Sequence, residues 1–245
     1  MPDCALVISD KANKNEVVDC IIDWLEQYSN KKNYAQFIFN VSYKYSGLFE
    51  RHGLKYGEHK KKHTYVLDLT QVSDVQNLYA PKRRQQIRRA VKDGLQVKHI
   101  EDLHIVFLLV CQTFKRQGKA IDEKMVKKIL FDFATSKNSF AFATVKDGEP
   151  IVAYFCIYHN KEAFYLLGGF NEDHKHIGAG PLAMSACIEH AKKIGVEIFD
   201  FEGSMEPSIE KYFKEFGGTK KNYISYERTG KLGQVAVKLR KLIKG

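Results

Sequence analysis

The sequence predicts an α+β fold built on a mixed sheet, and three features of the chain support this class. Three runs of aromatic and branched residues, separated by short polar turns, are typical of an antiparallel meander. These runs are residues 140–145, 151–159 and 163–168. A helical pattern and then a strand pattern follow, over residues 181–194 and 196–201. Two further helical patterns precede the meander, over residues 101–117 and 122–134. Helices on both sides of a set of strands indicate a layered α+β domain.

The remaining elements are predicted from apolar spacing and from punctuating residues. A first helix covers residues 16–28, where apolar side chains recur at helical spacing. Pro81 suits the first turn of a second helix over residues 82–92. The stretch between residues 39 and 64, which contains Gly47, Gly53, Gly57 and the run Lys60-Lys61-Lys62, is predicted as rich in loops. Further strands are predicted over residues 37–39, 64–69, 95–100 and 223–227, and a short helix over 209–216.

The composition excludes several classes of protein. Of the 245 residues, 44% are apolar and 12% aromatic, too many for a disordered chain, and no apolar run is long enough to cross a membrane. The first residues lack a basic stretch followed by an apolar one, so no secretory signal is predicted. Five scattered cysteines without a CxxC pair argue against a disulfide or zinc framework. We therefore expect a cytoplasmic protein without a metal site.

The net charge of +10 is concentrated in two parts of the chain. Residues 76–135 carry 13 basic and 6 acidic side chains, and residues 228–245 carry 6 basic and no acidic ones. The first part contains the helix over 82–92, which suits phosphates of a nucleotide, a tRNA or an anionic glycan, or else forms a solvated face. The second part is a basic amphipathic helix over 231–244, expected either to lie on the inner face of an anionic membrane or to pack on the body.

A turn between the meander and the next helix is a candidate phosphate site. Gly178 and Gly180 let the backbone approach a ligand, and Pro181 suits the first turn of a helix. The N–H groups and the dipole at the N-terminus of that helix favour an anion, and Lys175 adds a positive charge. An ordinary tight turn between a strand and a helix has the same residue types, so both interpretations stay open.

The same turn matches the G-x-G-x-x-A fingerprint of dinucleotide-binding proteins. Asp200 lies 20 residues beyond Gly180, where that fingerprint places a ribose-binding acid. The fingerprint directly follows its strand, whereas a polar stretch over residues 170–177 intervenes here and the preceding strands form a meander. An NAD-binding oxidoreductase is therefore only a minor alternative.

Motifs between residues 63 and 227 resemble those of a known superfamily. The turn Lys175-x-x-Gly178-x-Gly180 resembles the acyl-CoA loop of the GNAT acyltransferases, which usually has Gln or Arg in place of the lysine. Five further segments resemble the Fem-type branch, the peptidoglycan-bridge aminoacyltransferases and envelope-polysaccharide acyltransferases of bacteria. They are KRRQQIRRAVKDG at 82–94, FKRQG at 114–118, YLLGG at 165–169, DFEGSM at 200–205 and IEKYFKEFG at 209–217.

This resemblance implies a domain organisation and a class of reaction. It implies a GNAT-like domain over residues 76–228, preceded by a shortened first GNAT-like half over 1–75 and followed by the basic helix at 229–245. It further implies transfer from acyl-CoA, or from aminoacyl-tRNA, to an amino-bearing glycan or peptidoglycan precursor. The glycine turn favours acyl-CoA, as does the lack of the helical arm that some tRNA-using members carry. A partner copy completing the short half would make the protein a homodimer.

The resemblance also implies roles for individual residues. Backbone N–H groups of the strand over 165–169 would stabilise the oxyanion, although paired glycines also simply end strands. The implied donor-binding residues are Gly168, Gly169, Lys175, Gly178, Ala179 and Gly180. The implied substrate-binding residues are Arg116, Gln117 and Ser204, and Tyr165 is a catalytic candidate. Arg116 could instead complement the negative end of its own helix.

Asp200 and Glu202 are the candidate acid–base residues. Lying two apart on a predicted strand, they would share one face of the sheet, with Phe199 and Phe201 on the other. Such carboxylates can bind a cationic amine or take its proton, and their proximity would raise the pKa of one of them. The structural alternative is a pair that caps the helix near residue 209 or binds the basic helix. The corresponding alternative function is a non-catalytic family member that binds tRNA or an anionic glycan.

Overall fold

The chain divides into two units, each with helices and strands of its own. A computed structural model describes residues 11–31, 37–52, 58–203 and 206–228. One unit comprises residues 1–64 with 221–245, and the other residues 65–220. Ser204 and the tail over 231–244 lie outside the described residues. Within the described ranges, no helix combines the length and the hydropathy that a membrane crossing requires.

Seven α-helices and eight strands are numbered in chain order within the described residues. The helices are α1 (Lys14–Lys31), α2 (Ser46–His52), α3 (Pro81–Lys92), α4 (His104–Arg116), α5 (Glu123–Lys127), α6 (Ala179–Lys193) and α7 (Pro207–Lys214). The strands are β1 (Phe37–Val41), β2 (Glu58–Asp68), β3 (Gln96–His99), β4 (Ser139–Lys146), β5 (Glu149–His159), β6 (Glu162–Phe170), β7 (Ile198–Asp200) and β8 (Thr219–Arg228). A 3₁₀-helix covers Val75–Leu78, and a π-helix covers Lys128–Phe133 directly after α5.

The larger unit contains a mixed sheet with strand order β2-β7-β6-β5-β4-β3. The strands β4, β5 and β6 pair antiparallel in sequence order, which confirms the predicted meander. β7 pairs in parallel with β6 and antiparallel with β2, so α6 is the crossover between two parallel neighbours. The predicted α+β class with a mixed sheet is therefore confirmed.

Both faces of this sheet are covered by helices. One face packs on α3, α6 and α7 through a core that includes Ile87, Ile188 and Phe213. The other face packs on α4 and α5 through a core that includes Val106 and Leu130. β5 and β6 run through the middle of the sheet, so they can present side chains to both layers.

The smaller unit has its own core. Its strands have the order β1-β8-β2, and β1 pairs antiparallel with β8. Val18 and Ile22 of α1 and Phe49 of α2 are buried with Ile224 and Tyr226 of β8. The domain boundaries predicted at residues 75 and 228 stay predictions.

Four elements differ from the sequence prediction. β2 begins at Glu58 and includes the lysine run predicted as loop, where Lys60 and Lys62 pair with Glu227 of β8. Residues 46–52 form α2 instead of a loop, because burial of Phe49 outweighs the low helix propensity of Gly47. The helix predicted over 122–134 becomes a π-helix after Lys127. The strand predicted over 196–201 ends at Asp200, because the chain then turns through a positive φ.

Candidate active site

β7 ends at Asp200 while β6 continues, which leaves the edge of β6 beyond Phe164 without a strand partner among the described residues; this unpaired edge is called the opening below. Their parallel pairing covers three residue pairs and ends at Phe164↔Asp200. β6 continues to Phe170 with β5 as its partner, and a bulge at Leu166 interrupts the register of that pairing. A bulge bends a strand and re-aims its groups. The opening therefore includes residues 165–169, the segment whose backbone N–H groups the resemblance implies for the oxyanion.

The two glycines of this segment pack against opposite layers. Gly169 is buried beneath α4, where a Cβ would overlap the Leu109 carbonyl group and the Val110 nitrogen. Gly168 faces the other layer, where a Cβ would overlap the Tyr165 hydroxyl and approach the ring of Tyr154 to 2.8 Å. Both glycines thus permit close packing, which is a structural role. Their predicted contact with a donor stays a prediction.

The turn before α6 is organised by His176. Its Nδ1 accepts the Gly178 N–H at 3.0 Å, and its carbonyl oxygen accepts the Ala179 N–H at 3.1 Å. Pro181 has no N–H to offer. The Gly180 N–H therefore remains as the backbone donor of this first turn, and none of the described residues accepts a hydrogen bond from it. Lys175 is exposed on the same turn. One backbone donor, a helix dipole and a lysine are thus available to an anionic ligand, which fits a phosphate of a donor.

The basic helix α3 lies directly against this turn. A Cβ on Gly178 would overlap the Gln86 carbonyl group and lie 2.8 Å from Ala90 Cβ. His176 Nε2 also lies 3.1 Å from Asp93 Oδ2, at the C-terminal end of α3, and this hydrogen bond lowers the pKa of the Asp93 carboxyl below its usual value. Gly178 is therefore required for helix packing, whatever its part in donor binding.

Three tyrosines meet beside the N-terminus of α6. Tyr154 Oη and Tyr212 Oη are 3.4 Å apart, and a Cβ on Gly180 would lie 2.9 and 3.4 Å from them. The rings of Tyr154 and Tyr165 meet edge to face, with their centroids 5.0 Å apart. Burial raises the pKa of Tyr154 to about 12 and the pKa values of Tyr165 and Tyr212 well above the usual one. All three hydroxyls therefore keep their protons at neutral pH and can donate hydrogen bonds.

One cation of α3 is internal. Arg83 is only 8% exposed, and its guanidinium lies 4.1 Å from the centroid of the Tyr212 ring. It forms an ion pair with Glu215 at 2.9 Å and donates to Gln86 Oε1 at 2.7 Å. Lys82, Arg88, Arg89 and Lys92 are exposed on the same helix. The phosphate-binding surface that the sequence suggests for α3 can therefore include these exposed cations but not Arg83, whose guanidinium packs on Tyr212.

The two acidic candidates lie at the exit of β7. The Asp200 side chain, 4% exposed, accepts the Glu202 N–H at 2.8 Å. Glu202 and Gly203 have φ values of +59° and +60°, so strand alternation has ended before Glu202. The prediction that both carboxylates share one face of a strand is therefore wrong. Asp200 organises the backbone of Glu202, which is the more exposed of the two.

The exit of α4 adds an arginine to the opening. Arg116 Cζ lies 3.6 Å from the centroid of the Phe170 ring at the end of β6. Its Nη1 is buried, and none of the described residues accepts a hydrogen bond from it. Gln117, the next residue, is exposed. Lys119 Nζ binds Glu206 Oε1 at 2.7 Å, which links the exit of α4 to the connection that follows β7. Arg116 is thus available to an anionic group at this end of the opening.

Three residues of the site are not among the sequence candidates. Arg83, Tyr154 and Tyr212 come from α3, β5 and α7, so no local spacing connects them. Arg83 belongs to a row of cations whose periodicity indicates a solvent-exposed helix. Only the spacing of Arg83 within α3 could have indicated that it is buried. It shares one helix face with Gln86, Ile87 and Ala90, and that face is the buried one.

The structure also bears on the minor alternatives. β6, α6 and β7 form a strand–helix–strand unit with parallel strands, so the meander does not by itself argue against a dinucleotide site. Residues 171–178 still separate β6 from α6, unlike the short turn of that fingerprint. In the part of the chain that the structure describes, no group of three or more His, Cys, Asp or Glu side chains is placed to hold a metal ion.

Comparison with solved structures supports one fold. FemX superposes with a TM-score of 0.67 at 13% identity, covering 96% of this chain and 81% of that one. An Agrobacterium fabrum domain named for lysylphosphatidylglycerol synthetase gives 0.62 at 14% identity, covering 92% and 78%. L-PGS from Bacillus licheniformis gives 0.57 at 12% identity, covering 84% and 72%. The resemblance to the Fem-type branch is thus confirmed at the level of the fold.

A family model identifies the sequence itself. Residues 81–214, more than half of the chain, match the model described as acetyltransferase (GNAT) domain. No curated protein gives a significant match. The matched residues include α3, the turn before α6, the exit of β7 and all of α7. This chain therefore belongs to the GNAT acetyltransferase family, with the fold that FemX also has.

Proposed function

We propose that this protein is an N-acyltransferase that transfers an acyl or aminoacyl group from acyl-CoA to an amine on a cell-envelope precursor. The observation that carries the proposal is the unpaired edge of β6 beyond the end of β7, in a GNAT domain. The name lysylphosphatidylglycerol synthetase, borne by one similar structure, denotes an aminoacylated lipid and supports an envelope acceptor. Aminoacyl-tRNA is the alternative donor.

The donor would bind along β6 with its phosphates at the turn before α6. The Gly180 N–H, the positive end of the α6 dipole and Lys175 would hold a pyrophosphate there. Backbone N–H groups of β6 that point away from β5 would face the carbonyl oxygen of the acyl group. In the proposed donor site, main-chain N–H groups would therefore bind the reacting carbonyl, and the positive charge at the turn before α6 would bind the phosphates.

The reaction would be a direct attack of the acceptor amine on the thioester carbonyl. A C–N bond forms, the C–S bond breaks, and the amine loses a proton to Glu202, whose backbone Asp200 holds in place. The sulfur departs as a thiolate, to which the Tyr165 hydroxyl would donate a hydrogen bond, and the thiolate then takes a proton from water. Glu202 would thus act as the base, Tyr165 as a hydrogen-bond donor to the leaving group, and Asp200 as a positioning residue.

Arg116 would bind an anionic group of the acceptor. Its guanidinium carbon lies 3.6 Å from the centroid of the Phe170 ring, and its buried Nη1 lacks a partner among the described residues, so a carboxylate or phosphate would complete it. Arg116→Gln should raise the KM for the acceptor about 10- to 100-fold and leave the KM for the donor unchanged, because a charge-assisted hydrogen bond is lost. Lys115→Gln, an exposed neighbour, is the matched control. Equal KM values for the two variants would contradict this role.

The proposed function is tested by following thiol release with acyl-CoA and a panel of amino sugars, aminoacyl lipids and muropeptides. We expect release that depends on the acceptor, and we expect CoA to raise the melting temperature of the purified protein. Lys175→Gln, which removes the charge at the proposed pyrophosphate site, should weaken this protection. Absence of both protection and release would contradict the CoA reaction. Retention of labelled tRNA with a steep salt dependence would then favour the non-catalytic alternative.

A further inference from the structure

His176, in the turn before α6, uses both nitrogens of its imidazole ring within the protein. Its Nδ1 lies 3.0 Å from the Gly178 nitrogen, and its Nε2 lies 3.1 Å from Asp93 Oδ2 at the end of α3. The side chain is only 18% exposed. We propose that neutral His176 is a positioning residue of the donor site, so that donor binding weakens when this imidazole takes up a proton.

The two hydrogen bonds assign the protonation state of the ring. A backbone N–H can only donate, so Nδ1 is the nitrogen without a proton and accepts from Gly178. A carboxylate can only accept, so Nε2 carries the proton and donates to Asp93. The hydrogen bonds from His176 and Arg89 lower the pKa of the Asp93 carboxyl, which is therefore ionised at neutral pH. The geometry thus fits the neutral ring with its proton on Nε2.

A proton on Nδ1 would break the hydrogen bond that organises the turn. The Gly178 N–H would face a second N–H group, and none of the other described residues accepts from it. Gly178 is the residue directly before α6, with a φ of −97°. Lys175 precedes it and the Gly180 N–H follows it, and these are the groups proposed to hold the pyrophosphate. The ring or the turn would have to move, and the two donor-binding groups would lose their common position.

The charged groups around His176 come from α3 and from the turn itself. At the end of α3 lie Asp93, Arg89, which binds Asp93 at 3.3 Å, and the exposed Lys92. The titratable residues of the turn are all exposed, namely Glu172, Asp173, His174 and Lys175. α6 has no charged residue before Glu189. The carboxylates favour a protonated ring and the cations oppose it. Besides His176, His174 is the residue of this set whose type titrates near neutral pH, so it provides the control.

Nitrogen NMR of the histidine rings tests the turn without any donor. We expect the neutral ring with its proton on Nε2, and on acidification a shift of the Gly178 amide signal that follows the protonation of His176. His176→Asn should keep the turn, because an asparagine oxygen can accept the N–H two residues later, and its Gly178 amide should no longer titrate. His174→Asn should titrate like the parent. A proton on Nδ1 of the neutral ring, or a Gly178 amide that does not respond, would overturn the proposal.

Calorimetric binding of dephospho-CoA tests the consequence for the donor, and this arm rests on the proposed function. The probe lacks the 3′-phosphate, a monoester that would itself titrate near about pH 6. Its Kd should rise between about pH 8 and about pH 5.5, by at most about tenfold per unit, because one proton is taken up. His174→Asn should behave like the parent, and His176→Asn should bind with a constant Kd, while circular dichroism shows that each protein stays folded.

The outcomes separate this proposal from the proposed function. A Kd that rises equally in His176→Asn, or that falls in the parent on acidification, would overturn the role of His176. Absence of binding at every pH, together with the expected titration of the Gly178 amide, would contradict the CoA donor and confirm the dependence of the turn on the neutral ring.

Discussion

Replacing Gly169 with alanine should lower the free energy of unfolding by about 3 kcal/mol, as expected for severe overpacking in a core. The added Cβ would overlap the backbone of Leu109 and Val110, and a helix backbone cannot rotate away as a side chain can. The Phe170 N–H, which donates to Thr113 Oγ1 at 3.0 Å, ties the same strand to α4 and limits any relaxation. Urea denaturation followed by circular dichroism measures the loss.

Gly47→Ala is the control for this substitution. Gly47 lies in α2 with a negative φ, and a Cβ added there would have no atom within 4 Å, so alanine should leave stability unchanged or raise it slightly. A Gly169→Ala protein as stable as its parent would contradict the packing role. Weakened CoA binding in such a stable protein would instead support the donor contact that the resemblance implies for this residue.

Replacing Glu202 with glutamine should lower kcat by about 100-fold or more and change the KM for the donor little. The amide keeps the size of the side chain but cannot take a proton from the amine. Asp200→Asn should have a smaller effect on kcat, because an amide oxygen can still accept the Glu202 N–H that Asp200 binds at 2.8 Å. Single-turnover rates with saturating donor measure the chemical step directly.

Glu172→Gln, an exposed acidic residue of the loop after β6, is the matched control and should transfer at the parent rate. The double variant Asp200→Asn with Glu202→Gln should be as slow as Glu202→Gln alone, since both residues act through one proton transfer. Undiminished transfer by the double variant would contradict the carboxylate mechanism. A loss of activity that follows a loss of melting temperature would assign the pair a structural role only.

Much of the fold could be predicted because its patterns are local. The meander and α6 follow from alternation, turn residues and helical spacing within short windows. The turn with Gly178 and Gly180 is predictable in the same way, because a glycine pair before a helix is visible without any tertiary information. The limits of β7 were not predictable, since they depend on the positive φ of Glu202.

The composition of the candidate site is less accessible to sequence reasoning. Arg83 looks like one more solvated cation in a basic helix, yet it is buried on Tyr212. The resemblance assigns Gly168 and Gly178 to donor binding, whereas the structure shows protein groups that closely approach both glycines. A glycine in the sequence thus indicates that another group approaches the backbone closely, but it does not indicate whether that group belongs to a ligand or to the protein.

The sequence by itself determined the class of this protein: an α+β domain with a meander, a glycine turn before a helix and the motifs of a GNAT acyltransferase. These features depend on residues close together in the chain, so their physics is that of turns, caps and periodic burial. The tertiary structure decided which side chains share the site. It placed Tyr154 against Tyr212, left Arg116 Nη1 without a partner among the described residues, and ended β7 before Glu202. Such contacts join residues far apart in sequence, and only packing across the two layers of helices brings them together.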